Sequence, residues 1–192
     1  VRLHYLLQRE ACGSAGAIKR AETVLNETFI VLPADALVDL DIQAALESHY
    51  AHGGMATAIL SQAARPKMAA EQLVNIDAHG HVQVADPTDV GSMAYAHTGG
   101  FIFEPTVLAY IPAKTAVNCH THLIPALQEA GNPTHGYIMD GYWNSLATFS
   151  DFQAAQHVLL ASLVASHANR STGQISQVPT LRYAYVEAGE LQ

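Results

Sequence analysis

The chain has 192 residues, of which 49% are hydrophobic and 14% are charged, a composition that suits one globular domain with a sizeable core and excludes an intrinsically disordered chain. Its formal net charge of −8 argues against a protein that binds the phosphates of a nucleic acid polymer. The sequence has neither about 18 consecutive apolar residues nor the charge order of a signal peptide, so we expect no membrane partner and a cytoplasmic protein.

The first third of the chain alternates helical and extended patterns. Apolar residues spaced three and four positions apart predict amphipathic helices, whereas a short apolar run rich in β-formers predicts a strand buried on both faces. A strand, a helix and a second strand in succession predict that the two strands pair in parallel. The predicted elements are a helix over 15–25, the buried strand over 28–32, a helix over 42–51 with Asp41 as its N-cap and Gly53-Gly54 as its end, and a strand over 55–60.

An antiparallel pair interrupts this alternation. The glycine and aspartate within 77–80 suit a tight turn between two strands, over 73–76 and 81–85. The elements predicted after this hairpin are a strand over 99–103, a short helix from Pro105 to Tyr110, a helix over 121–130 ended by Gly131, a strand over 134–139, and a long helix over 150–168 with Ser150 as its N-cap.

These elements predict the α/β fold class, with a Rossmann-like, doubly wound, mostly parallel mixed sheet that carries an antiparallel insertion. Residues 1–168 form the predicted domain, which we expect to be incomplete at its N-terminus. The polar, turn-rich residues 169–177 favour a linker, so that 169–192 comprise this linker and the possible start of a C-terminal module.

A few polar and small residues are candidates for chemistry. Asp35 follows the strand over 28–32, at the kind of sheet edge where α/β proteins bind ligands. Its carboxylate would suit Mg²⁺, which takes one or two carboxylates together with phosphate oxygens, but an aspartate that satisfies a turn is an equally good explanation. Gly13, Ser14 and Gly16 lie at a helix start, where they either let a ligand approach the backbone or allow close packing.

Eleven histidines raise the question of a metal site. They include the pair His79 and His81 and two members of the segment Cys119–His122. A zinc site needs three or four ligands, and neither group supplies them locally, so we predict structural or surface histidines. The two cysteines, Cys12 and Cys119, are predicted to be reduced thiols.

Four motifs follow one another in a specific order along the chain. They are Gly13-Ser14-Ala15-Gly16-Ala17, Phe29-Ile30-Val31-Leu32-Pro33-Ala34-Asp35, Gly99-Gly100-Phe101-Ile102-Phe103-Glu104-Pro105 and Gly141-Tyr142-Trp143. In this order and spacing they resemble the sugar-1-phosphate nucleotidyltransferases, or NDP-sugar pyrophosphorylases. The resemblance covers roughly 3–163 and is nearest to the bacterial mannose-1-phosphate guanylyltransferase and glucose-1-phosphate nucleotidyltransferase branches.

The resemblance implies that an oxygen of a sugar 1-phosphate attacks the α-phosphorus of a nucleoside triphosphate and releases pyrophosphate, with Mg²⁺ as cofactor. Positioning of the substrates and neutralisation of their charge would supply the catalysis. The family pattern assigns the catalytic, metal-binding role to Asp35, nucleotide binding to Gly13, Ser14 and Gly16, and sugar binding to His97, Thr98 and Gly99.

The chain also departs from the family pattern at positions that carry chemistry. The glycine-rich loop with Arg and Lys that cradles the triphosphate in the family has no equivalent in this sequence. Ser145 stands where the family has a second metal-binding aspartate, and His97 stands where it has an asparagine. No lysine lies near 87–88, where the family has a Glu-Lys-Pro segment that contacts the sugar phosphate.

These departures leave three hypotheses. We expect a nucleotidyltransferase, whose partners are a nucleoside triphosphate and a sugar 1-phosphate. The alternative is a non-catalytic homologue that binds a nucleotide sugar or regulates an active partner, and a third hypothesis is a decayed or truncated chain with neither role. A homo-oligomer is left open.

Overall fold

The structure is a computed structural model that describes residues 3–8, 10–62, 73–84, 95–113 and 115–171. The chain divides into two compact units, Val1–Trp143 and Asn144–Gln192. Within the described ranges, no helix has both the length and the apolar character needed to cross a membrane.

The first unit carries most of the secondary structure. Its helices are α1 (Gly13–Arg20), α2 (Ile42–His52) and α3 (Ile124–Glu129), together with a 3-10 helix (Pro105–Tyr110) and a π-helical turn (Cys119–Leu123). Its strands are β1 (Phe29–Val31), β2 (Leu37–Val38), β3 (Ala56–Ser61), β4 (Leu73–Ile76), β5 (Val82–Val84), β6 (Tyr95–Phe103) and β7 (His135–Met139). Strand β8 (Trp143–Asn144) begins at the last residue of this unit.

Strand β6 lies inside the main sheet and pairs along both of its edges. One edge pairs antiparallel with β1 and with β4, and the other pairs antiparallel with β3. The strand order in the main sheet is β5-β4-β6-β3-β7, in which β3 and β7 pair in parallel. The predicted α/β fold with a mixed sheet is thus confirmed.

Strands β1 and β3, which were predicted to pair across α2, are not neighbours in the sheet. Phe103 of β6 pairs with Phe29 of β1 on one edge and with Ala56 of β3 on the other. Because β1 and β3 are each antiparallel to β6, they run in the same direction, but their predicted direct pairing is wrong. Strand β1 is also half-buried rather than buried on both faces.

Helix α2 begins and ends at the capping residues that the sequence predicts. The carboxylate of Asp41 accepts a hydrogen bond from the Ala44 N–H at 3.0 Å, which satisfies one of the unpaired amides of the first turn. Gly53 follows the last turn with φ of 64°, and its N–H donates to the His49 carbonyl. The hairpin of β4 and β5 is also confirmed, with Asn75 opposite Gln83.

Hydrophobic side chains fill both faces of the main sheet. Phe101 and Phe103 of β6 belong to a core cluster on one face, which includes residues of α1 and α3. Ile102 lies between them in sequence and belongs to the opposite cluster, with Ala45 of α2 and Trp143. Alternation along a strand sends successive side chains to opposite faces, so helices cover both faces of the sheet, as a doubly wound fold requires.

The second unit contains helix α4 (Phe149–Ser171). Its first turn is closed by a reciprocal cap: the Asp151 N–H donates to Thr148 Oγ1 at 3.1 Å, and the Thr148 N–H donates to Asp151 Oδ2 at 3.2 Å. The N-cap is therefore Thr148, and the prediction of Ser150 is wrong because Ser150 already lies inside the helix. The predicted domain boundary at 168/169 stays a prediction, since 172–192 lie outside the described residues.

We expect Thr148→Ala to lower the free energy of unfolding by about 1 kcal/mol, because it removes the side-chain acceptor of the first helical turn. Ser150→Ala is the matched control, and we expect it to change stability by less than about 0.5 kcal/mol. Urea denaturation of the two variants measures both values. A larger loss for Ser150→Ala than for Thr148→Ala would contradict the capping assignment.

Candidate active site

The turn after β1 lies next to the first half of β6. A Cβ atom built on Gly99 would stand 3.3 Å from the side chain of Pro33, so the backbone at Gly99 approaches this turn closely. The carboxyl end of β3 reaches the same region, since Ser61 pairs with Ala96. The fold therefore brings the turn that carries Asp35 beside the predicted sugar-binding residues of β6.

Asp35 is exposed in the turn that directly follows β1. Among the residues described, no group of three or more His, Cys, Asp or Glu side chains is arranged to hold a metal ion. Mg²⁺ is commonly held by one or two carboxylates plus the phosphate oxygens of a substrate. A single accessible carboxylate fits this mode of binding, in which the substrate completes the ligand set. Ser145, at the family's second carboxylate position, belongs to the second unit.

Thr98 uses its side chain inside the sheet. The side chain is buried, and its hydroxyl donates to the Ile59 carbonyl at 2.6 Å while it accepts the Gly100 N–H at 3.1 Å. Gly99 has φ of 83°, a left-handed conformation that favours glycine. Of the three predicted sugar-binding residues, only His97 therefore has a side-chain hydrogen-bond donor left for a ligand.

The imidazole of His97 is neutral and has a defined tautomer. Its Nδ1 accepts the Gly99 N–H at 3.0 Å, so the ring proton lies on Nε2. Burial, and secondarily the neighbouring His120, lower its pKa to about 3. Nε2 is buried and has no hydrogen-bond partner among the residues that the structure describes. An N–H donor in this state is suited to an incoming oxygen acceptor, because a buried unpaired donor is unfavourable.

His120 is a neighbour of the site that the sequence analysis missed. It lies in the π-helical turn, and its ring centroid is 4.9 Å from that of His97. In the sequence, His120 stands out only as a candidate zinc ligand, because it belongs to the segment Cys119–His122. Irregular helical turns of this kind are frequent at functional sites, but they have no simple periodicity by which the sequence could reveal them.

The start of α1 packs tightly against the segment 117–119. The Val117 carbonyl accepts the N–H groups of Ala15 at 3.0 Å and Gly16 at 3.2 Å. Gly13 has φ of 71°, and a Cβ atom there would overlap the Val117 carbonyl oxygen. Close packing therefore requires a glycine at this position, whatever ligand binds nearby.

Ser14 ties the same helix start to the π-helical turn. Its N–H donates to Asn118 Oδ1 at 3.2 Å, and its hydroxyl oxygen accepts the Cys119 N–H at 2.9 Å. The first amides of α1 are thus paired within the protein. Burial raises the pKa of the Cys119 thiol to about 11, so Cys119 is not a ready nucleophile. Nucleotide contact by Gly13, Ser14 and Gly16 stays a prediction.

A positive φ by itself costs an alanine about 1 kcal/mol. We expect Gly13→Ala to lower the free energy of unfolding by more than this amount, because the new Cβ also meets Val117 and Asn118. Gly131→Ala is the control, since its φ of 75° is similar and the space around it is open. Equal losses in urea denaturation would contradict the packing role of Gly13.

Known proteins resemble this chain over most of its length. A sequence model of the nucleotidyl transferase family matches residues 1–162. UTP–glucose-1-phosphate uridylyltransferase of Synechocystis is 31% identical over 157 residues, which are 78% of this chain and 40% of that protein. Mannose-1-phosphate guanyltransferase of Hypocrea jecorina is 27% identical over 170 residues, or 85% of this chain and 45% of the relative. The chain thus spans less than half the length of these two relatives.

Solved structures agree on the fold. HddC from Yersinia pseudotuberculosis, complexed with GMP-PN, superposes with a TM-score of 0.63 at 18% identity, covering 80% of this chain and 65% of that one. The inositol-1-phosphate CTP transferase from T. maritima gives a TM-score of 0.56 at 16% identity, covering 73% and 58%. Together with the family match over residues 1–162, these observations show that the chain belongs to the nucleotidyl transferase family.

Proposed function

We propose that this protein transfers a nucleotidyl group from a nucleoside triphosphate to a sugar 1-phosphate, which yields an NDP-sugar and pyrophosphate. Its main support is the family match over residues 1–162, joined by two relatives whose names describe sugar-1-phosphate nucleotidyltransferases. The position of the Asp35 turn beside His97 and Gly99 adds a second, structural line of support.

The proposed reaction requires the protein to position its substrates and requires little covalent chemistry from the protein itself. A phosphate oxygen of the sugar 1-phosphate forms a bond to the α-phosphorus, while the bond from this phosphorus to the oxygen bridging to the β-phosphorus breaks and pyrophosphate leaves. Two anionic substrates must be held close together, so neutralisation of their charge and alignment of the reacting atoms contribute most of the rate.

Asp35 is the residue that would hold Mg²⁺. Its carboxylate is exposed in the turn after β1, where phosphate oxygens can supply the remaining ligands. When bound, the cation stabilises the negative charge that develops on the phosphates. With Ser145 at the second carboxylate position, Asp35 provides the one protein carboxylate expected from the family pattern, which makes its removal a sharp test.

The sugar phosphate would lie against β6. In this arrangement the Nε2–H of His97 donates to a ligand oxygen, and the left-handed Gly99 leaves the backbone free of a side chain at the point of contact. Gly13, Ser14 and Gly16 would lie on the nucleotide side, where a small surface admits a planar base. A cytoplasmic location is a further part of the proposal and is independent of this geometry.

We expect Asp35→Asn to lower kcat/KM by at least about 100-fold, because one charged group is lost from the transition state. Pyrophosphate release by the full-length gene product, with a panel of triphosphates and sugar phosphates, measures this loss. Glu47→Gln, which removes an exposed carboxylate on α2, should leave the rate unchanged.

The two outcomes of this assay separate enzyme from binder. Turnover that survives Asp35→Asn would overturn the metal assignment but not the transferase activity. Absence of turnover with every substrate pair would overturn the transferase activity, and calorimetric binding of a nucleotide sugar would then favour a non-catalytic homologue.

We expect His97→Ala to raise the KM for the sugar phosphate about three- to tenfold, the usual effect of one lost hydrogen bond, and to leave the KM for the triphosphate unchanged. His97→Asn keeps an N–H donor and should restore part of the loss. Because its pKa is lowered to about 3, His97 stays neutral between about pH 8 and pH 5. An NMR titration showing that His97 gains a proton in this range would contradict the assignment.

A further inference from the structure

Four imidazoles lie together at the end of the sheet opposite Asp35. His52 ends α2, His135 begins β7, and His79 and His81 belong to the hairpin of β4 and β5. The ring centroids of His52 and His135 are 4.4 Å apart, those of His81 and His135 are 4.9 Å apart, and those of His79 and His81 are 5.8 Å apart. We call these four residues the histidine cluster.

The histidine cluster lies where the hairpin contacts β7. The Gly136 N–H donates to the Gly80 carbonyl at 3.0 Å, and the Val82 N–H donates to the Thr134 carbonyl at 2.8 Å. A bridge between His81 and His135 joins the two backbones at the same point. Strands β5 and β7 lie at opposite ends of the sheet order. This junction therefore brings together two strands that are not neighbours in that order.

Positive charge has little compensation at this junction. The titratable side chains that face His135 are His49 and His52 from α2 and Asp77 and His81 from the hairpin. Only Asp77 is acidic, and its Oδ2 already lies 3.3 Å from His81 Nδ1. Among the described residues, the carboxylate of Glu104 contacts His49 at 3.2 Å and forms no ion pair with a member of the histidine cluster, so a second proton within the cluster would lie close to another positive charge.

His135 is the member least suited to carry a charge. Its Nδ1 is buried and has no hydrogen-bond partner in the described part of the chain. Its ring is stacked on His52, and a Cβ atom at Gly54 would stand 2.9 Å from it, so the ring has little room to move. Burial first, and then the neighbouring histidines, lower the pKa of His135.

We infer that the histidine cluster is a pH-sensitive latch, which docks the hairpin on β7 when its imidazoles are neutral and releases the hairpin when they gain protons. Because the pKa of His135 is lowered in the folded state, docking is fully stabilised above about pH 6.5, the ordinary histidine value, and weakens as the pH falls below it. Release of the hairpin would affect the candidate active site through β4, because Leu73 of β4 pairs with Ala96, the residue before His97. The latch does not depend on the proposed catalytic activity.

Amide hydrogen exchange measured by NMR tests the latch on the full chain. After correction for the intrinsic exchange rate, we expect the protection of the Gly136 and Val82 amides to fall about tenfold or more between about pH 7.5 and pH 5.5, the range in which histidines titrate. The amides of β3 and β6 should keep their protection. An equal fall in all strands, or no fall at Gly136 and Val82, would overturn the latch.

Two variants show whether the histidine cluster is the cause. His135→Gln and His52→Gln should each reduce the pH dependence at Gly136 and Val82 at least about threefold, because the first removes His135 itself and the second removes the imidazole stacked on it. His52 is exposed at the end of α2, so its variant serves if His135→Gln does not fold. His157→Gln, an exposed histidine of α4, is the control and should retain the full dependence. Unchanged pH dependence in the His52 variant would overturn the latch.

Discussion

Strand β6 pairs along both of its edges, and this pairing fixes the directions of the strands around it. Because β1 and β3 are each antiparallel to β6, they run in the same direction and end at the same edge of the sheet. The turn after β1 and the first half of β6 then meet at Pro33 and Gly99. A carboxylate and a group of sugar-binding candidates are thus brought together by strand direction, without any sequence proximity.

The segment 117–120 contacts both predicted parts of the site, the nucleotide-binding start of α1 and the sugar-binding part of β6. Its Val117 carbonyl takes the first amides of α1, and its Cys119 amide donates to Ser14, while His120 contacts His97. The small residues that open α1 follow from how closely this segment packs. The neutral state of His97 follows first from its burial and second from His120 of this segment. Nucleotide and sugar would therefore bind to surfaces held in place by the same few residues.

Burial gives the histidines at the two ends of the sheet different chemistry. At the site end, His97 is kept neutral and retains one N–H donor, which suits recognition of an oxygen-rich ligand. At the other end, His135 is pressed against further imidazoles with one nearby carboxylate, which suits a response to protons. The residue type is the same, and the number and charge of its neighbours decide what it does.

Local signals in the sequence were sufficient for the elements whose ends are set by a few residues. Asp41 and Gly53 determined the ends of α2, and the turn after Asp77 determined the hairpin, because caps and tight turns depend on the hydrogen bonds of their own residues. The order of four short motifs likewise indicated the family, which the match over residues 1–162 confirmed. The motif around Asp35 could be located in the same way.

Which elements and side chains meet follows from the packing of the whole fold. The position of β6 between β1 and β3, the contact of His97 with His120 and the junction of His81 with His135 all join residues far apart in the sequence. Local pattern determines hydrogen bonds within a turn, whereas strand order and side-chain neighbours depend on how the whole core packs.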